Sequence, residues 1–179
     1  MGQTIDKPCS SCRGDGRIVK ESTYTVDIPA GIDSGQTLRL SGRGAVGIRG
    51  GQAGDLYVHV RVADHDVYRR EDDDLVTDVE ISFAQAALGT QLMLPTLDGD
   101  EVVVVPPGTQ PGREFVLRQR GVPRLHGRGR GDLRVRIDVQ VPTKLSDAEA
   151  DLLRRFAEAR GEEIHAEQGL LARIKSAFQ

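Results

Sequence analysis

The strongest constraint on this chain is that it carries the same segment twice. IPAGIDSGQTLRLSGRG at 28–44 lies on VPPGTQPGREFVLRQRG at 105–121 after a shift of 77 residues. The same shift, without a gap, lays GDLYVHVRV at 54–62 on GDLRVRIDV at 131–139. Pro29 falls on Pro106, Gly31 on Gly108, Gly35 on Gly112, Arg43-Gly44 on Arg120-Gly121, and Asp55-Leu56 on Asp132-Leu133. Such agreement predicts two copies of one module. Each copy runs an extended segment (Val26 and Ile28, or Val103 and Val105) into Pro-x-Gly. There Pro ends strand pairing and Gly permits a positive φ. Leu38 and Leu40, or Phe115 and Leu117, then alternate along the next strand. After a Gly-rich loop, Leu56, Val58, Val60 and Val62 keep a period of two that Leu133, Val135, Ile137 and Val139 repeat. Stripes of this kind are first of all core positions.

Between the copies, 74–83 reads as a strand with loose alternation. Ala84–Leu88 reads as a helical turn ended by Gly89, and Gln91–Leu94 as a strand. Asp98-Gly99 makes a tight hairpin turn into the Val run. A full copy thus needs about 35 residues before its Pro-x-Gly by the repeat arithmetic. Shifted back, the first copy's equivalents fall at or before the start of the chain. The expectation is that the first module lacks its opening strands. Beyond Pro142, SDAE at 146–149 is a capping box with Ser146 as N-cap and Glu149 at N3. It predicts a helix to about Arg160 with Ala148, Leu152, Leu153 and Phe156 on one face, ended by Gly161. Leu170, Leu171, Ile174 and Phe178 recur at helical spacing in a second, shorter stretch. So short a helix needs something to pack on. The fold class expected is mainly β: two tandem small β-sandwich modules with a C-terminal helical segment. The boundaries read from the sequence are 1–17 for a cysteine-rich remnant, 18–63 and 64–142 for the two β-modules, and 143–179 for the helices.

A net charge of −3 argues against general attraction to nucleic acid phosphates, although HGRGRG at 126–131 is locally basic. The acidic EDDD at 71–74 reads as a solvated turn. The start of the chain has no apolar signal core and the longest aliphatic run is VVVV at 102–105, so a cytoplasmic protein is expected. Only two cysteines occur, Cys9 and Cys12 in CSSCRGDG. Their sulfurs converge around a turn that Gly14 and Gly16 allow, which suits half of a tetrahedral zinc site. A redox pair and chemically inert residues are the alternatives. The four histidines show no ligand spacing to the pair, and no catalytic constellation is present, so an enzyme is not expected.

C-x-x-C-x-G-x-G, then IPAGIDSGQTLRLSGRGAVG, AGDLYVHV, HDVYRREDDDL, AALG, LPTLDG and VPPGTQPG occur in this order. The set resembles the C-terminal half of DnaJ-type heat-shock co-chaperones over residues 8 to about 160. The tail GLLARIKSAF is similar to the end of some bacterial members. The resemblance implies two β-modules with unfolded polypeptide clients bound by the first, delivery to a DnaK-type chaperone, and a homodimer joined through the C-terminus. It also implies a zinc insertion of four C-x-x-C-x-G-x-G repeats, of which Cys9 and Cys12 match the fourth, a half-site only. The His-Pro-Asp motif of the family's J-domain is not found here, and Asp66 stands where the family usually has Pro. By position the client role falls on Val58, with Leu56 and Leu40, and the dimer role on Leu170, Leu171, Ile174 and Phe178. No nucleic acid or membrane partner is expected. The rival reading is a zinc-dependent nucleic-acid-binding module.

Overall fold

The computed structural model describes residues 9–12, 16–47 and 51–164. The chain forms two compact units, one ending at Val139 and one beginning at Gln140. The architecture is mainly β, as the alternating patterns predict.

The first copy contributes strands β1 (Thr37–Leu40) and β2 (Leu56–His59), an antiparallel pair with Leu38 opposite Val58 and Leu40 opposite Leu56. The second contributes β3 (Arg69–Glu71), β4 (Asp74–Ser82), helix α1 (Phe83–Leu88), β5 (Thr90–Thr96), β6 (Gly99–Val105), β7 (Glu114–Leu117) and β8 (Leu133–Gln140). Strands β3-β4-β8-β7 make one sheet, and the hairpin β5-β6 makes another. Leu75, Ile81, Ala86, Val105, Leu133, Val135 and Ile137 form the core, with Leu92, Leu94, Phe115 and Leu117 packed against it. Two sheets and a helix therefore close a sandwich around β8. Full burial of a side chain such as Val105, Leu133, Val135 or Ile137 stabilises the fold by roughly 1.5–3 kcal/mol each.

The repeat holds rung by rung between the β1–β2 and β7–β8 pairs. Phe115 faces Val135 as Leu38 faces Val58. The amide of Gly35 donates to the carbonyl of Val60 at 3.0 Å, and that of Gly112 to Ile137 at 2.8 Å. The amides of Gly44 and Gly121 donate to the carbonyls of Gly54 and Gly131, both at 2.8 Å.

Helix α1 starts in a capping box that the sequence pattern alone did not single out. Ser82 Oγ accepts from the Gln85 amide at 3.1 Å, and Gln85 Oε1 accepts from the Ser82 amide at 2.9 Å. EDDD is a turn between β3 and β4, as expected. In β4, Leu75, Val76 and Thr77 are buried in succession, so both faces are covered there and the alternation is lost.

The second unit holds α2 (Asp147–Arg160), with the predicted box between Ser146 and Glu149 and a left-handed Gly161 at its end. Its predicted apolar face needs correction. Ala148 is exposed, as are Leu152 and Phe156, while Ala157 is buried and Ala150 and Leu153 are half-buried. Both stripes pass through Leu153, and the helical period alone does not choose between them. The Phe156 ring lies 5.7 Å from the Arg160 guanidinium instead.

Candidate functional site: the edge of the first module

Strand β2 bonds to β1 through its even-numbered residues. The Val60 amide donates to the Gln36 carbonyl at 2.8 Å, continuing the ladder past the named strand. Ser34 Oγ then accepts from the Val62 amide at 2.8 Å and donates to its carbonyl at 3.3 Å, so a side chain replaces the next backbone rung. By the alternation of an antiparallel pair, the amides and carbonyls of Tyr57, His59 and Arg61 point away from β1. Among the described residues no strand pairs with them. In the second copy the equivalent side of β8 is taken by β4. There the Leu75 amide donates to the Asp132 carbonyl at 2.9 Å, and the Asp132 amide to the Asp74 carboxylate at 2.8 Å.

The three residues expected to line a client groove lie on one face of this pair. Leu40 and Leu56 are directly opposite each other, Val58 sits two residues further along, and all three are half-buried. The turn beside them is pinned by Asp55, whose carboxylate accepts from the Gly42 amide at 2.8 Å and from Arg39 Nε at 2.6 Å. The Gly42 amide above all, and then Arg39, hold the Asp55 carboxyl below the usual aspartate range.

Cys9 is exposed and Cys12 partly so. The Cys9 thiol is pushed down by the backbone amide of Cys12 first and of Ser11 next, which favours the thiolate that a metal binds. Among the described residues no group of three or more His, Cys, Asp or Glu could hold a metal ion. The residues fit two positions of a zinc shell and leave the others to ligands from elsewhere. His65 stabilises its own turn: its Nδ1 accepts from the amides of Val67 at 3.1 Å and Tyr68 at 3.3 Å. Leu170, Leu171, Ile174 and Phe178 lie outside the described residues.

In the basic loop, Arg130 pairs with the Asp98 carboxylate at 2.7 Å and donates to the Gly121 carbonyl at 3.0 Å. The Arg130 hydrogen bonds, with Arg120 behind them, hold the Asp98 carboxyl below its ordinary range. Arg124 lies 3.5 Å from Asp73. These arginines serve the fold. Sequence reasoning also misses Arg70, which β3 turns toward the first module: its guanidinium donates to the carbonyls of Gly31 and Ile32, each at 2.8 Å. Its neighbours Arg69 and Glu71 are exposed, and nothing in the local sequence marks the middle residue as different.

Comparison with known proteins agrees with this architecture. The DnaJ C terminal domain matches residues 4–142, and the chaperone protein DnaJ C-terminal region matches residues 149–179. The chain is 43% identical over 178 residues to the chaperone protein DnaJ of Acetivibrio thermocellus, covering 99% of this chain and 46% of that protein. It is 44% identical over 177 residues to that of Methanothermobacter thermautotrophicus, covering 99% and 47%. To that of Ruminiclostridium cellulolyticum it is 46% identical over 195 residues, covering 100% and 52%. The chain thus spans about half the length of these relatives. With a family model over most of its length and relatives above 40% identity along it, this chain belongs to the DnaJ C-terminal domain family.

Proposed function

We propose that this chain is the polypeptide-holding part of a DnaJ-type co-chaperone and is not an enzyme. It captures extended, apolar segments of unfolded clients on the first module for delivery to a DnaK-type partner in the cytoplasm. The observation that carries this reading is the outward row of backbone groups at Tyr57, His59 and Arg61, next to a half-buried apolar face. An extended peptide can add its own amides and carbonyls to such a row, and pockets for alternate side chains then give selectivity. Val58, Leu56 and Leu40 are the residues such a peptide would cover. The nucleic-acid reading has no support in the relatives, and the basic loop's Arg130 is already paired.

The test is Val58→Asp in a holdase assay with an unfolded client followed by light scattering. The expected result is a clear loss of holding at unchanged circular dichroism. A folded Val58→Asp variant with full holding activity would falsify the groove role of Val58.

The family's zinc, where present, cross-links chain segments, and Cys9 and Cys12 would supply two of its thiolates. Closing the shell needs two more ligands, which a second chain can give through its own pair. We further infer that Leu170, Leu171, Ile174 and Phe178 join two chains. One measurement addresses both: mass by light scattering and zinc content, for the whole chain and for a chain ending at residue 165. The expected outcome is a dimer that becomes a monomer on truncation, with zinc below one per chain and removed by chelators. Equal masses, or one chelator-resistant zinc per monomer, would contradict it.

A further inference from the structure

The two copies of the Pro-x-Gly turn have found different partners. In the second copy the turn docks within its own module. The amides of Gly108 and Thr109 donate to the carbonyls of Ala87 at 3.2 Å and Ala86 at 3.1 Å, in the last turn of α1. Among the described residues no helix precedes the turn of the first copy, and that turn meets the second module. Arg70 Nη2 and Nη1 bond the carbonyls of Gly31 and Ile32, while Nε bonds the carbonyl of Asp72 at 2.7 Å. One planar guanidinium thus ties two carbonyls of the first module to the β3–β4 turn of the second, with the Asp33 carboxylate 3.6 Å away. The fixed fork of donors in Arg suits several acceptors at once, which an ammonium on a flexible stem does not.

Gly31 closes the same junction from another neighbour. A Cβ there would lie 2.0 Å from the Pro123 carbonyl oxygen, on the loop after β7. Gly108, its copy, has a similar φ of 76° against 88°, yet a Cβ on it would meet nothing within 4 Å. Both glycines answer a left-handed backbone, but only Gly31 also answers a close approach between modules. Next to these contacts the junction is not packed. A cavity of about 620 Å³ opens there, lined by Val62, Ala63, Tyr68, Leu97 and Val122 among others. Side-chain packing across that space does not fix the angle, so the fixed points are the polar bonds of Arg70, the Gly31 approach and the buried Ile32 beside them.

We propose that Arg70 is a positioning residue: with Gly31 it forms a joint that sets the orientation of the β1–β2 module on the second module. Resting on the polypeptide-holding reading above, the joint determines how a client bound along β2 is presented to the second module. It acts only on clients long enough to touch both modules.

The experiment is residual dipolar coupling NMR on the 179-residue chain and its variants Arg70→Met, Arg70→Lys and Gly31→Ala. In the parent chain one alignment tensor is expected to fit the amides of residues 37–60 and 74–139 together. In Arg70→Met each module still fits a tensor of its own, which shows that it is folded, but the two tensors no longer coincide. Arg70→Lys restores part of the agreement. Gly31→Ala, which leaves β3 untouched, separates the tensors from the other side of the joint and covers the case in which Arg70→Met fails to fold. In parallel, an unfolded client spanning both modules should bind Arg70→Met about tenfold more weakly, while a short apolar peptide keeps its affinity. A single shared tensor in both Arg70→Met and Gly31→Ala overturns the joint. An equal loss for the short peptide also overturns it, because Arg70 would then be part of the groove. A parent chain that binds no short apolar peptide refutes the holding reading alone, and the couplings still judge the joint.

Discussion

Ile28 and Val105 occupy the same place in the two copies, yet Ile28 is 65% exposed and Val105 is 1% exposed. The contrast continues along the module. Leu133 and Val135 are 1% and 0% exposed, whereas their counterparts Leu56 and Val58 are only half-buried. The register, the hydrogen bonds of Gly35 and Gly112 and of Gly44 and Gly121, and the positive-φ positions are nevertheless shared. Local geometry is therefore written into each copy separately. Burial is not: it depends on β4, α1 and the β5-β6 hairpin, which surround only the second copy among the described residues. The same strand is core in one setting and a half-buried apolar face in the other.

The largest expected effect tests this directly. Leu133→Ala should cost about 2–5 kcal/mol, the range for a truncation in a closed core. Leu56→Ala, at the same place in the other copy, should cost only about 1 kcal/mol, since it gives up part of a half-buried side chain. Urea unfolding of both variants measures the difference, and equal costs would mean that the first copy is as closed as the second.

A smaller effect concerns acid. The Asp55 carboxyl titrates below its ordinary range in the folded chain because its ionised form holds the Gly42 amide. A depressed carboxylate contributes stability that is complete above the ordinary aspartate range and is lost as pH falls through the lowered value. The 40–44 turn should accordingly loosen only in that acidic window. The Gly42 amide resonance reports it, and Asp55→Asn should remove the pH dependence.

The smallest effect exchanges residues between copies. Gly42 has φ 68° and its counterpart Gln119 has φ 58°, so the second copy keeps a side chain in the left-handed region. Gln119→Gly should relieve that strain but free the unfolded chain, for a net change under about 1 kcal/mol. Gly42→Gln should destabilise by a similar amount. Thermal melts of the pair would show whether the two turns are energetically equivalent.

Much of this architecture is legible in the sequence, for physical reasons that differ by feature. The shift of 77 residues transfers every rung of β1–β2 onto β7–β8, because turn chemistry and period-two alternation are local properties. The Ser146 cap is readable for the same reason. Ser82 with Gln85 carries the same signal but is easily missed, because only one short helix follows it. Three other features are hidden because they depend on neighbours far along the chain. These are the partial exposure of Leu56 and Val58, the choice of Ala157 over Phe156 as the buried position of α2, and the reach of Arg70 to the first module's carbonyls. The cysteine pair is readable as two ligands, and the described residues bring it no third.

The one-sided pairing of β2 also has a consequence in time. Amide protons that donate to β1, such as that of Val60, leave only when the strand opens. Those of Tyr57, His59 and Arg61 point away from β1, where no described strand meets them, and should exchange with solvent deuterium without that opening. Protection along β2 should therefore alternate residue by residue, slow then fast, like the teeth of a comb. Strand β8, with β4 on one side and β7 on the other, should be slow from Leu133 to Ile137. Under the proposed client-holding role, a polypeptide added along β2 would fill the gaps in the comb, and these amides would then time how long it stays.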